Sequence, residues 1–265
     1  MKSLCQNLHL YLASAWYSYR ALYAWQRFGP YVSGKIIYPT AQMLFFLYLG
    51  RLAGVENPIY IVIGNILLLP ATNGVEGVSM TISGERDFRT LPYLIASPAS
   101  RGPLFLGRPL VHIIDGTLST ITAFFIGVLV FGLDLKQSNL LLVALSVLVI
   151  SITSSGLGLI LGSLSLRTRE ASTISAIAYF VLLVFCGVNL PVESLPRSMQ
   201  WISYCLPLTR GIAAARQAMN GMEWHIVVYQ LVEELLVGCI YFSVGYFLFR
   251  WFEKLSLVDG QIEAI

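Results

Sequence analysis

Residues Leu140 to Leu164 read LLLVALSVLVISITSSGLGLILGSL, a run without one charged side chain. An α-helix rises 1.5 Å per residue, so about 20 such residues cross the ~30 Å hydrocarbon layer of a bilayer. The run is long enough to span a membrane and has no charged face to offer water. The rest of the chain shares this bias. Of its 265 residues 56% are hydrophobic and 12% charged, with a mean hydropathy of +0.72, whereas soluble domains carry roughly a quarter charged residues. A soluble globular protein is excluded. The formal net charge of +3 comes from dispersed Lys and Arg, which form no continuous basic face for phosphates, so nucleic acid is excluded as a partner.

Working outward from that run, only Gly132 to Asn139 separate it from an apolar stretch near 109–131. Further spans are expected at about Gly34–Leu49, Ile59–Ile82, Ala171–Val188 and Ile226–Phe249. The chain thus reads as an all-α polytopic membrane protein with six transmembrane helices in a single domain, 1–265. Pro70 removes a helix hydrogen bond and predicts a kink in the second span. At the N-terminus Leu4, Leu8, Leu12, Trp16, Tyr19 and Tyr23 recur at steps of three and four. This predicts an interfacial amphipathic helix over 1–29 ending near Gly29-Pro30, its aromatic rings in the headgroup layer. Residues 189–224 are too long for a tight turn and too apolar for a disordered loop; they read as a partly re-entrant external hairpin between spans five and six.

Of the 17 Lys and Arg residues, Arg51, Lys136, Arg197, Arg210 and Arg216 fall on one side of a six-span layout and the other twelve on the side of the termini. The positive-inside bias places both termini in the cytoplasm. Cys5, Cys186, Cys205 and Cys239 show no CxxC spacing, and His9, His112 and His225 lie far from them in sequence. No metal site is expected. Cys186 and Cys205 are either packed thiols or a bridged pair near the external face.

Polar residues inside apolar spans are costly and need a reason. Asn65, Thr72 and Glu76 share one face of span two, bordered by Asn73. That face points either to a protein interface or wet path, or to polar partners in a static bundle. In span five Ser172, Ser175, Ala176 and Tyr179 form a small-residue face suited to close helix approach. Ser154, Gly158 and Gly162 in span four form another, assigned to packing within the subunit. His112 and Asp115, one helical turn apart, read as a polar pair near the cytoplasmic end of span three rather than a catalytic set. Glu233 and Glu234, about 10 Å into the last span, either relay ions or pair with Arg210, Arg216 or backbone in the external hairpin.

Between spans two and three stands Gly84-Glu85-Arg86-Asp87-Phe88-Arg89-Thr90-Leu91-Pro92-Tyr93-Leu94-Ile95-Ala96-Ser97-Pro98. From its pattern alone this is either a solvated loop or a short amphipathic helix, 84–96, able to dock a soluble partner. E-R-x-x-x-T-L-x-x-L-x-x-S-P, followed by Leu106-Gly107-Arg108, resembles the coupling-helix region of ABC-2 type export permeases. The later run Cys186-Gly187-Val188-Asn189-Leu190-Pro191-Val192-Glu193-Ser194-Leu195-Pro196, with Leu206-Pro207-Leu208-Thr209 and Ala215-Arg216, resembles that family's external hairpin. Arg89 and Pro92 depart from the family pattern.

The resemblance implies a transmembrane subunit that pairs with a second permease chain, identical or related, and sits on two copies of an ABC ATPase subunit. It implies an ATPase-coupling role for Glu85, Arg86, Thr90, Leu91 and Leu94. Spans two and five, with Asn65, Thr72, Asn73, Glu76, Ser172, Ser175 and Tyr179, would line the dimer interface or translocation path, span five approaching span two from the partner chain. Asn189, Pro191, Pro196, Pro207, Arg210 and Arg216 fall in its external hairpin. The chain holds no G-x-x-x-x-G-K-[ST] phosphate loop, so it is expected to be no enzyme itself and to bind no cofactor, ATP and Mg belonging to the partner subunit. The function expected is export of an amphipathic drug-like, peptide or lipid-like substrate across a bacterial plasma membrane. A polysaccharide or glycolipid exporter is the alternative within the family; an ion-coupled secondary transporter using Glu76, Asp115, Glu233 and Glu234 is the alternative outside it.

Overall fold

The computed structural model describes residues 9–17, 20, 28–55, 57–88, 90, 93, 101–168 and 170–258. Every regular element among them is helical. Residues 9–17 form α1, which buries Ser14 and exposes Leu12, Trp16 and Tyr17. An apolar outer face is the arrangement an interfacial helix needs; Leu4, Leu8, Tyr19 and Tyr23 lie outside the described residues. Helix α2 is Phe28–Leu52. Gly29 and Pro30 therefore open α2 instead of closing the interfacial helix, a position where proline costs little because its missing N–H has no helical partner.

Helix α3 begins at Asn57-Pro58 and runs as Pro58–Thr72, a π-turn Asn73–Gly77, and Val78–Asp87. It continues a full turn past the expected end at Ile82, so Gly84, Glu85 and Arg86 finish span two and do not start a separate helix. Nothing before Phe88 breaks the helix: the residues after Ile82 are Ser83, Gly84, Glu85, Arg86 and Asp87, and no proline stands among them. The π-turn follows Pro70, whose ring deprives the helix of one donor. Thr72 Oγ1 and Asn73 Nδ2 both donate to the Leu69 carbonyl, each at 2.9 Å, and stabilise the distorted turn.

The remaining helices are α4 (Arg101–Leu106), α5 (Pro109–Phe131), α6 (Leu140–Thr168), α7 (Ala171–Phe185), α8 (Arg197–Cys205), α9 (Thr209–Met219) and α10 (Trp224–Val258). Among the described residues, four stretches are long and apolar enough to cross a membrane: Pro58–Arg86, Pro109–Phe131, Leu140–Leu166 and Trp224–Phe252. Helix α2 has the length but is interrupted by Lys35, Thr40, Gln42 and Arg51, and Ala171–Phe185 is apolar but shorter.

Helix α6 is the axis of the bundle, packed on α10, α3 and α9. Its small residues let backbones meet. A Cβ on Gly158 would collide with the Gly74 carbonyl oxygen, and one on Gly162 would stand 2.7 Å from Ile82 Cδ1. Across α6, a Cβ on Gly245 of α10 would lie 2.9 Å from Leu159 Cβ. The Ser154/Gly158/Gly162 strip thus packs within the subunit, as its spacing predicts. Around this axis, Leu67, Leu68, Val75, Ile150, Leu182 and Ile212 form a dry core joining α3, α6, α7 and α9.

Candidate functional site

A cavity of about 390 Å³ opens between α2, α3 and α5, walled by Tyr31, Lys35, Tyr38, Thr72, Glu76 and Asp115 among others. One side is a tight polar knot. Lys35 Nζ forms an ion pair with Asp115 and donates to Ser119 Oγ at 2.7 Å and Asn73 Oδ1 at 3.2 Å. The Tyr31 hydroxyl donates to the other Asp115 oxygen at 3.1 Å, and the ammonium stands 5.7 Å from the Tyr31 ring centre. The charges at this depth therefore neutralise each other across α2 and α5, which lowers the cost of holding them inside a membrane bundle.

His112 and Asp115 line the same cavity, and each also bonds to a neighbouring helix. His112 Nε2 is 2.8 Å from Thr81 Oγ1 on α3, while Asp115 turns to Lys35. The ring of His112 packs on Gly77, where any Cβ would overlap Nδ1. In the sequence Lys35 enters only the topological charge balance. Its position inside span one, where an ammonium demands a carboxylate, is the signal that finds the knot.

The polar face of α3 divides. Thr72, Asn73 and Glu76 line the cavity. Asn65 is buried elsewhere: it accepts from Gln42 Nε2 at 2.9 Å and donates to Asn189 Oδ1 and the Ile61 carbonyl, each at 2.9 Å. It ties α2 and α3 to the segment after α7. Of the span-five residues, Ser172 is exposed, Ser175 is buried, and Tyr179 stands beside both Tyr38 and Glu76 within one chain. Glu76 itself has no hydrogen-bond or ion-pair partner among the described residues.

At the far end of α3, Glu85 and Arg86 turn inward. Glu85 bridges Arg108 at 2.7 Å, with the guanidinium almost fully buried, and Arg86 donates to the Leu166 carbonyl of α6. Burial pulls the Arg108 guanidinium below its ordinary value, and the adjacent Glu85 carboxylate offsets part of that. The Thr90 hydroxyl donates to the Glu85 carboxylate. Expected as exposed docking charges, Glu85 and Arg86 instead anchor this segment to α5 and α6, because α3 carries them into the bundle. Leu91 and Leu94 lie outside the described residues.

The 189–224 segment is held by three charged contacts. Glu234, fully buried on α10, accepts from Leu208 N, from Arg210 N at 3.1 Å, from Gly211 N at 3.1 Å and from Thr153 Oγ1 at 3.0 Å. Its carboxylate thereby occupies the positive N-terminus of α9, satisfying donors that no helical carbonyl reaches. Leu208 adopts φ 97°, a left-handed conformation rare for a branched side chain, and this aims its N–H at the carboxylate. Glu233 points away and pairs with Arg210 at 3.0 Å. Arg216 lies over the Tyr60 ring, 3.2 Å from its centre, and donates to the Tyr60 and Val188 carbonyls at 3.0 and 2.9 Å. Pro191 and Pro196 precede the short helices Val192–Ser194 and Arg197–Cys205, and the Pro207 carbonyl accepts from the buried Cys186 thiol at 3.7 Å. Cys186, Cys205 and Cys239 are free thiols. Both glutamates are thus bonded to the 189–224 segment, the contacts that the structural half of the sequence reading expects.

The pattern of the ABC-2 type transporter family matches residues 14–220, from α1 through the end of α9. The chain belongs to that family. Among curated proteins it is similar to ABC transporter G family member 20 of Dictyostelium discoideum, 25% identical over 187 residues that cover 68% of this chain and 25% of that one. It is also similar to the probable multidrug ABC transporter permease YbhR of Escherichia coli (strain K12), 23% identical over 194 residues, 72% of this chain and 52% of the relative. The chain therefore spans about a quarter and about half of their respective lengths. An ABC-2 permease is a transmembrane protein, which agrees with the apolar helices of this bundle.

Proposed function

We propose that this chain is the membrane subunit of an ATP-driven exporter that carries an amphipathic drug-like, peptide or lipid-like substrate out across a bacterial plasma membrane. It crosses six times, through α2, α3, α5, α6, α7 and α10, with both termini in the cytoplasm and α8 and α9 re-entering from outside. Two such chains, identical or related, pair along α3 and α7, and two ABC ATPase subunits bind below the 84–96 segment and supply ATP and Mg. The observation that carries this reading is the family match over residues 14–220. The inward bonds of Glu85 and Arg86 support it: they fix the end of α3 to α5 and α6, so force applied there moves three crossings together. The likeness to a probable multidrug permease supports the choice of an amphipathic substrate.

The test is purification of the tagged chain from its native membrane, with transport measured in inverted vesicles. An ATPase subunit should co-purify at about one copy per permease, and uptake should require hydrolysable ATP. Uptake driven by an ion gradient, with no ATPase bound, would refute the proposal.

A further inference from the structure

The cavity between α2, α3 and α5 has a charge imbalance. It contains Lys35, Asp115 and Glu76 as its charged groups, with His112 bonded to Thr81. Lys35 is fully engaged by Asp115, Asn73 and Ser119, which leaves the Glu76 carboxylate as the uncompensated charge. That carboxylate sits on the π-turn Asn73–Gly77, a distortion that recurs at functional sites. Beside it stand Tyr38 on the cavity wall and Tyr179 of α7 next to Tyr38. A carboxylate at membrane depth is costly when unpaired, and aromatic faces attract cations once water is displaced. The volume of about 390 Å³ lies within the range of pockets that hold drug-sized molecules.

We infer that this cavity is a binding site for a monovalent organic cation with an apolar body, Glu76 meeting the positive centre and Tyr38 covering its apolar flank. The inference rests on the export reading for its biological meaning and narrows the substrate class from amphipathic to cationic amphipathic. The binding itself does not require an ATPase. Lys35 and Asp115 serve as positioning residues: by neutralising one another they keep the site's net charge at that of one carboxylate.

Tetraphenylphosphonium and tetraphenylborate test this, having one shape and opposite charge. Equilibrium binding is measured on the full chain in nanodiscs of zwitterionic lipid, with empty nanodiscs subtracted. The expected result is saturable binding of the cation, displaced by other lipophilic cations, and none of the anion. Glu76→Gln should weaken cation binding at least about tenfold, the consequence of removing one member of a desolvated charge pair. Glu76→Lys should abolish it, and Glu223→Gln, on the external loop, should leave it unchanged. Both Glu76 variants are checked for monodispersity, and the half-exposed position of Glu76 on the cavity wall permits either side chain. Equal binding of both ions, no saturable cation binding, or full affinity in Glu76→Gln would each overturn the inference. Failure here is distinguishable from failure of the export reading. ATP-dependent transport by a chain that shows no saturable cation binding, or whose cation binding is unchanged in Glu76→Gln, sinks only this site, while Glu76-dependent binding with no ATPase partner sinks only the export reading.

Discussion

Replacing Glu234 by Ala is expected to destabilise the protein by about 3–5 kcal/mol, the range found when one member of a buried charged contact is removed. Glu234 is fully buried and accepts hydrogen bonds from Leu208, Arg210, Gly211 and Thr153. Bonds to a charged acceptor contribute roughly 1.5–3 kcal/mol each. Their sum is reduced by the several kcal/mol that desolvation of the carboxylate costs. In the Ala variant the three backbone donors at the start of α9 lose their acceptor in a place water does not reach, and the left-handed Leu208 loses the bond that offsets its conformation. Glu234→Gln should fall between wild type and Ala, keeping one carbonyl acceptor but setting an amide donor against backbone N–H groups. Arg210→Ala removes partly exposed contacts, the ion pair with Glu233 and the guanidinium's bond to the Tyr204 carbonyl, and should cost about 0–1 kcal/mol. Steric-trapping or SDS titration of the purified protein measures all three. A Glu234→Ala variant within about 1 kcal/mol of wild type, or an Arg210→Ala cost exceeding it, would refute the capping argument.

Three further outcomes are expected. Gly158→Val forces side-chain atoms into the Gly74 carbonyl where α6 meets α3, and should cost upward of about 2 kcal/mol in the same titration; a neutral result would show that the two helices separate freely. Arg108→Ala leaves the partly buried Glu85 without its cation, so transport-linked ATP hydrolysis in the assembled complex should fall severalfold, and Arg108→Ala combined with Glu85→Ala should recover part of it; an additive double variant would deny the coupling. Cysteine reporters at Ser3 and Gly260 should react with an impermeant maleimide only after permeabilisation, and labelling of either in intact cells would reverse the topology.

What could be read from the sequence divides along the range of the interactions. The α6 run, its glycine strip and the final span follow from local composition, and the structure has them where their spacing predicts. The Pro70 distortion was also local, although its form, a π-turn and not a simple bend, depends on side chains returning to the Leu69 carbonyl. For the Lys35–Asp115 knot the sequence shows the need, an ammonium inside a span, but not the partner, which stands 80 positions away in the chain. Asn65 seemed to belong with Thr72 and Glu76 because helical phase says nothing of depth: a neighbour at Asn189 claims one end of the face and the cavity the other. Glu85 and Arg86 looked like surface charges because a charged cluster after an apolar run ordinarily marks the helix end, whereas α3 continued and carried them inside.

The π-turn in α3 sets a limit on how this chain tolerates length changes. Such a turn accommodates one residue more than an α-helical path through the same wall, and the helices on both sides keep their own faces. Deleting a residue between Asn73 and Gly77 would let the wider turn relax into an ordinary one, with Pro58–Thr72 and Val78–Asp87 each still in phase with its neighbours. The same deletion inside Pro58–Thr72 would turn every following side chain by about 100° and break the α6 contact. Homologues that differ by one residue in this span should therefore place the gap within this turn, and those that lack the extra residue should present a different side chain to the cavity in place of Glu76.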